Sequence, residues 1–102
     1  MDERERIIAT HYGLRHQLEK TQEELRELNT AILKHLASPT PKTREAVIEE
    51  AIDCEVLFEQ LKYLLNVRDR EVNLYKDFKI NRQLVRIGAW ESVPKGGADV
   101  GQ

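Results

Sequence analysis

Two short pairs of carboxylates are the residues of this chain best suited to chemistry. Glu24 and Glu27 form the first pair, and Glu50 and Asp53 form the second. The i,i+3 spacing places both side chains of a pair on one face of an α-helix, one turn apart. Two such pairs on neighbouring helices bring together four oxygen ligands of the kind that Mg²⁺ and Mn²⁺ prefer. The spacing therefore predicts a divalent metal site formed by these four side chains.

Glu50 is the unusual member of the four, because its helix face is otherwise apolar. On a helical wheel, Cys54, Leu57 and Leu61 fall within about 40° of Glu50. An ionised carboxylate without a partner is costly among such side chains, whereas a bound cation compensates its charge. The position of Glu50 therefore favours a metal ligand.

Two other interpretations of the acidic residues stay open at this point. Glu23, Glu24 and Glu27 are also typical of a solvated helix face. Glu50 can instead form a buried ion pair with a basic side chain, and the candidates are Arg15, Lys20 and Arg82.

The positions of proline and glycine predict the helices that carry these residues. Prolines occur at 39, 41 and 94, and glycines at 13, 88, 96, 97 and 101. Between these breakers we expect helices over 2–12, 14–38 and within 42–87. A predicted bend at Asn66-Val67-Arg68-Asp69 divides the last stretch into helices over 43–66 and about 70–87. Thr40 or Thr43 is the expected N-cap of the third segment, and Asp69 that of the last. Gly88 suits the position after the last helix.

Two of these helices carry long apolar surfaces. In the segment 14–38 a leucine arc spans less than about 90° of the wheel, and we expect it to pack antiparallel against the next helix, so that the two acidic pairs face each other. In the segment 43–66 apolar residues surround most of the circumference, which predicts burial on several sides and therefore an oligomer, a dimer or tetramer. The leucine arc consists of Leu14, Leu18, Leu25, Leu28, Ile32 and Leu36.

The sequence thus predicts an all-α protein, a helical bundle of about four helices completed by oligomerisation. Residues 1–88 form the expected domain, and 89–102 a flexible tail.

Composition limits the possible partners of the chain. It has 102 residues, of which 33% are charged, and a net charge of −2. No basic surface attracts a nucleic acid polymer, and no apolar run approaches the roughly 18 residues of a membrane span. The single cysteine, Cys54, excludes an internal disulfide and fits a reducing compartment. We therefore expect a cytoplasmic protein.

The acidic motifs and their surroundings resemble a known family. Glu24-Leu25-Arg26-Glu27, a gap of 22 residues and Glu50-Ala51-Ile52-Asp53 match the ExxE…ExxD signature of the MazG-like all-α nucleoside triphosphate pyrophosphohydrolases. Tyr12-Gly13, Gln17-Leu18 and Lys20 before the first motif are similar to that family's first motif helix, and 79–87 to its closing helix. The resemblance covers residues 11–87.

The resemblance implies an enzyme that hydrolyses a nucleoside triphosphate to the monophosphate and pyrophosphate. Glu24, Glu27, Glu50 and Asp53 correspond to the family's ligands for Mg²⁺, which Mn²⁺ can replace, and one carboxylate can instead activate the attacking water. Lys20, Lys79 and Arg82 are candidate phosphate-binding residues, with ordinary surface cations as the alternative. A second function class, a non-catalytic oligomeric adaptor or regulatory module, has the same helical pattern.

Overall fold

The computed structural model describes residues 1–94, which form three α-helices and one 3₁₀ turn, with no strand among them. The helices are α1 (Glu3–Ala37), α2 (Pro41–Leu64) and α3 (Asp69–Arg86), and the 3₁₀ turn, η1, spans Trp90–Ser92. The all-α prediction is confirmed. The four-helix bundle and the oligomer stay predictions. Of the predicted tail 89–102, residues 95–102 lie outside the described residues.

The chain divides into two compact units. The first spans Met1–Val67 and holds α1 and α2, and the second begins at Arg68 and holds α3 and η1. Whether 1–88 behaves as one domain stays a prediction. Within the described residues, no helix is both long enough and apolar enough to cross a lipid bilayer.

Helix α1 is interrupted at Gly13, so that the predicted segments 2–12 and 14–38 are its two parts. Gly13 has φ 83° and ψ 170°, a conformation that is essentially restricted to glycine. At the start of α1, the Asp2 carboxylate caps the helix by accepting a hydrogen bond from the Arg4 backbone N–H at 2.8 Å. At its end, Ser38 and Pro39 stop the helix.

A capped turn connects α1 to α2. The Thr40 hydroxyl accepts a hydrogen bond from the Thr43 backbone N–H at 3.0 Å, and the Thr43 hydroxyl accepts one from the Thr40 N–H at 2.9 Å. Pro41 occupies the first turn of α2, where its missing N–H costs nothing. Of the two predicted candidates, Thr40 and Thr43, Thr40 is therefore the N-cap.

The two helices form an antiparallel hairpin, as predicted. Near the turn, His35 Nδ1 lies 2.7 Å from the Thr43 hydroxyl oxygen. Far from it, the Gln17 side-chain amide donates a hydrogen bond to the Gln60 side-chain oxygen at 2.7 Å. The carboxyl-terminal part of α1 thus packs against the amino-terminal part of α2. Both acidic pairs lie between these two contacts, so the register of the helices places the pairs near each other.

The leucine arc of α1 is not the surface that packs in this hairpin, and the prediction that it is was wrong. The buried face of α1 lies about 70° away on the helical wheel. Leu18 and Leu25 are each 43% exposed, and Leu36 is 73% exposed. Small and polar side chains permit the closer approach of α2. The buried residues of α1 are Ala9, Gln17, Thr21, Glu24 and Ala31.

Helix α2 is buried along one side rather than around its circumference. Its buried residues are Cys54, Leu57 and Gln60, on the face that also carries Glu50. The expected burial on several sides is therefore absent from the described chain. The large apolar side chains that stay exposed on α2 are Ile52, Val56, Phe58 and Tyr63.

Helix α3 begins at Asp69, the residue predicted as its cap, and so one residue before the predicted start at about 70. Arg68 is the N-cap, so Asp69 is the first helical residue rather than the cap. The Glu71 carboxylate accepts a hydrogen bond from the Arg68 backbone N–H at 3.2 Å. Gly88 follows the C-cap Ile87 with φ 72°, which confirms the predicted helix end.

Candidate metal centre and adjoining groove

The hairpin brings three of the four predicted metal ligands to one place. One carboxylate oxygen from each of Glu24, Glu50 and Asp53 lies within 4.8 Å of the other two. Glu24 is buried, Glu50 half-buried and Asp53 exposed. The site is therefore formed from both helices and is open to solvent on the Asp53 side.

Glu27, the fourth predicted ligand, belongs to a second group of carboxylates that shares Glu24 with the first. Glu23, Glu24 and Glu27 also have one oxygen each within 4.8 Å of the others, so Glu24 belongs to both groups. Glu23 was not predicted as a ligand, because its spacing to Glu27 is equally typical of an exposed helix pair. Glu23 and Glu27 are both exposed.

Glu50 holds an oxygen that the described residues leave without a partner. Its Oε1 is buried and accepts no hydrogen bond among residues 1–94; Glu5 has the only other such oxygen there. Burial raises the pKa of the Glu50 carboxyl above its ordinary value, and the negative charges of Glu27 and Asp53 raise it further. Such an oxygen, within a set of hard oxygen donors, fits a divalent cation of the Mg²⁺ or Mn²⁺ type.

The ion-pair alternative for Glu50 finds no support within the first unit. Arg15 pairs with Glu19 at 3.3 Å, and Lys20 with Glu23 at 2.7 Å. Within the described part of the chain, Glu50 itself forms no ion pair.

Glu24 is the most enclosed of the four carboxylates, which the wheel did not reveal. Its residue exposure is 8%, whereas the sequence interpretation identified Glu50 as the unusual residue and the leucine arc as the packed face of α1. The difference arises because α1 packs through the face next to that arc. Glu24 therefore shares the central position with Glu50.

Lys20 lies beside the acidic residues. Its ammonium nitrogen is 2.7 Å from Glu23 Oε1 and 3.5 Å from Glu24 Oε2. The hydrogen bond to Glu23 raises the pKa of Lys20, so the side chain stays charged. This position, one turn before Glu24, is compatible with the predicted contact to phosphate.

A groove of about 730 Å³ adjoins the carboxylates. We call it the Tyr12 groove. Glu24 and Asp53 line it, and so does Lys20, so that it opens onto the acidic site. Its volume falls in the range of small-molecule sites. The rest of its lining includes Tyr12, His16, Gln17, Leu57 and Gln60.

Aromatic and amide side chains line this groove in a fixed arrangement. The rings of Tyr12 and His16 stack with centroids 4.3 Å apart and planes 14° apart. The Gln17 side-chain oxygen lies 2.7 Å from His16 Nδ1, and because this oxygen can only accept, Nδ1 is the donor. The sequence offered no signal that Gln17 and Gln60 meet, since 43 positions separate them.

Lys79 and Arg82, the other predicted phosphate-binding residues, lie on α3 in the second unit. Both are exposed, and the Arg82 guanidinium carbon is 5.5 Å from the centroid of the Phe78 ring. Their contact with a substrate stays a prediction.

Comparison of the chain with protein-family models, with curated proteins and with solved structures finds no match.

Proposed function

We propose that this protein is a Mg²⁺-dependent nucleoside triphosphate pyrophosphohydrolase, a cytoplasmic enzyme that removes unwanted nucleotides and acts as a homo-oligomer. The observation that carries the proposal is the meeting of Glu24, Glu50 and Asp53, of which one carboxylate oxygen each lies within 4.8 Å of the other two. The buried Oε1 of Glu50, which has no hydrogen-bond partner among residues 1–94, supports it. The resemblance of the ExxE…ExxD spacing to MazG-like enzymes supports the substrate class. The Tyr12 groove supplies space for a ligand beside these residues.

In the proposed reaction, water adds across the anhydride between the α- and β-phosphates. The water oxygen stays with one product, the anhydride oxygen leaves with the other, and a proton is released. The products are a nucleoside monophosphate and pyrophosphate. Mg²⁺, when bound, neutralises the charge of the phosphate oxygens.

The side chains of the hairpin have distinct roles in this proposal. Glu24, Glu50 and Asp53, together with Glu27, hold the cation. One of these four carboxylates, instead of binding the cation, can orient the water and accept its proton, for which a raised pKa is favourable. Lys20 binds phosphate oxygen, and its ion pairs keep its ammonium group beside the site.

The test is pyrophosphate release from a panel of NTPs and dNTPs, with and without Mg²⁺, by the wild type, Glu50→Gln and the matched control Glu55→Gln. Glu55 is an exposed residue of the same helix. We expect release that requires Mg²⁺, falls by at least about 100-fold in Glu50→Gln and is unchanged in Glu55→Gln.

A non-catalytic oligomeric module is the second candidate, and the exposed leucine arc of α1 favours it. Absence of pyrophosphate release with every nucleotide, together with no thermal shift in Mg²⁺ or Mn²⁺, would establish this alternative over the enzyme.

A further inference from the structure

The face through which α1 packs against α2 has a seven-residue repeat. Gln17, Glu24 and Ala31 share this spacing, and all three are buried. A helix surface with such a repeat and with small or polar side chains fits its neighbour in more than one register, because little in its shape distinguishes one position from the next. The hairpin therefore needs a directional contact to fix the register at the acidic site.

The hydrogen bond between the Gln17 and Gln60 side chains, which we call the amide bridge, is such a contact. It is 2.7 Å long, and the two residues are 3% and 2% exposed. His16 Nδ1 donates to the Gln17 oxygen and so orients the amide that forms the bridge. Among residues 1–94, no buried atom of either amide lacks a partner. A buried polar contact that is fully satisfied favours a single register of two paired helices.

The amide bridge lies at equal distances from the acidic residues on the two helices. Gln17 precedes Glu24 by two turns of α1, and Gln60 follows Asp53 by two turns of α2, about 10 Å along each helix axis. Because the helices are antiparallel, the two equal intervals bring Glu24 opposite Asp53 when the bridge is formed. A shift of one helical turn would move the two carboxylates apart by about 5 Å.

The turn between the helices holds the hairpin on the other side of the acidic site. There His35 Nδ1 lies 2.7 Å from the Thr43 hydroxyl oxygen. Along α1, Glu24 is about 16 Å from His35 but only about 10 Å from Gln17, so the amide bridge is the nearer of the two contacts. Without the bridge, the turn alone leaves the helices free to separate or rotate at the acidic site.

A bound divalent cation is sensitive to such a displacement. Mg²⁺ requires ligand oxygens at about 2.1 Å in a nearly octahedral arrangement. The oxygens of Glu24, Glu50 and Asp53 lie within 4.8 Å of one another, and a shift of a few ångströms between the helices would remove Glu24 from this set. Residues that orient metal ligands without binding the ion typically change metal affinity by about 10-fold to 100-fold.

We propose that Gln17 and Gln60 are positioning residues of the metal site. Their hydrogen bond fixes the register of α1 against α2, so that Glu24 comes within reach of a cation held by the carboxylates of α2. Neither amide touches the cation. This inference rests on the proposed function for the presence of the metal.

The test compares metal affinity with stability in variants of the full chain that remove the bridge but keep side chains of similar length. Gln60→Met leaves the buried Gln17 amide without its acceptor, and it should lower both the urea midpoint in EDTA and the affinity for Mn²⁺. Combining it with Gln17→Met replaces the bridge by two apolar side chains and should restore the urea midpoint. The double variant should still bind Mn²⁺ about tenfold more weakly than the wild type, as measured from the EPR signal of free Mn²⁺.

Gln22→Met, at an exposed position of α1, is the matched control and should change neither the urea midpoint nor the affinity. Recovery of the Mn²⁺ affinity together with the stability in the double variant would show that the bridge is merely structural. That result overturns the positioning role and leaves the proposed function standing. A wild type that binds no Mn²⁺ would instead overturn the proposed function, and with it the site that the bridge positions.

Spin labels measure the arrangement of the helices independently of metal binding. Glu19→Cys and Glu55→Cys place labels at exposed positions between the bridge and the acidic residues, in a Cys54→Ser background that removes the buried thiol. In EDTA we expect one narrow distance distribution for the labelled protein, and a broader or shifted one when Gln60→Met is added. An unchanged distribution would contradict the role of the bridge in setting the register, whatever the metal affinity.

Discussion

At the scale of single residues, the hairpin buries few apolar side chains, yet it buries one carboxylate oxygen of Glu50. Glu50 Oε1 accepts no hydrogen bond in the described chain, and Glu24 beside it is 8% exposed. Such a carboxyl group opposes folding when it is ionised and no cation is bound. In the proposed enzyme, metal binding relieves this cost, so function and stability are coupled at the same atoms.

Glu50→Gln should leave the metal-free protein equally or more stable, with a difference that depends on pH. A carboxyl whose pKa is raised by folding favours the folded state while it is protonated. As pH rises above the ordinary glutamate value of about 4.3 and through the raised folded value, the wild type loses this contribution. We expect equal melting temperatures of wild type and Glu50→Gln near pH 4, and a higher one for the variant near pH 7, in EDTA.

Glu55→Gln, on the exposed side of α2, is the control and should show no such divergence with pH. A large loss of stability in metal-free Glu50→Gln at neutral pH would instead show that Glu50 is half of a structural ion pair.

At the scale of the helices, the interruption of α1 at Gly13 is the main departure from regular geometry. A helix that was continuous through this point would carry Tyr12 in a different direction relative to His16, because the backbone of Gly13 has φ 83° and ψ 170°. No atom lies within 4 Å of the position that a Cβ would occupy there. The requirement for glycine is therefore conformational rather than a matter of space.

Gly13→Ala should destabilise the protein by about 1–3 kcal/mol, since the backbone conformation is strained for any residue with a Cβ. Urea denaturation measures the loss. Thr10→Ala, an exposed position in the same helix, is the control and should change stability by less than about 0.5 kcal/mol. A neutral effect of Gly13→Ala would show that α1 straightens without cost.

At the scale of the whole molecule, the described chain buries little apolar surface. Its buried hydrophobic residues are four small or medium ones, and none of its large side chains is fully buried. Chains near 100 residues depend on efficient burial for stability. The exposed leucine arc offers the surface that association of copies would cover, which is the physical basis for the proposed oligomer.

Leu25→Glu combined with Ile32→Glu should convert the proposed oligomer to a monomer of 11.9 kDa. Both residues lie in the leucine arc, and a charge there opposes burial. Light scattering after size-exclusion chromatography measures the mass. Thr30→Glu, an exposed residue on the opposite side of α1, is the control and should keep the oligomer. A monomeric wild type would contradict the proposal.

Much of the local structure is determined by the sequence alone. Pro39 and Pro41 interrupt the chain between α1 and α2, and Gly88 ends α3, because these residues restrict the backbone irrespective of their surroundings. The i,i+3 spacing likewise places each acidic pair on one helix face wherever the helix packs. The cap at Thr40 was one of two candidates that the sequence predicted, with Thr43, whereas the shift of the α3 cap from Asp69 to Arg68 was not predicted.

Only the tertiary structure decided which face of α1 meets α2. A leucine arc shows that a surface favours burial, but it does not reveal whether the neighbouring helix or another copy of the chain covers it. The close approach of α2 depends on the shape of both helices together, and it selected the face of Gln17, Thr21 and Ala31. That rotation of about 70° buries Glu24 and pairs Gln17 with Gln60, two outcomes that no spacing within α1 could indicate.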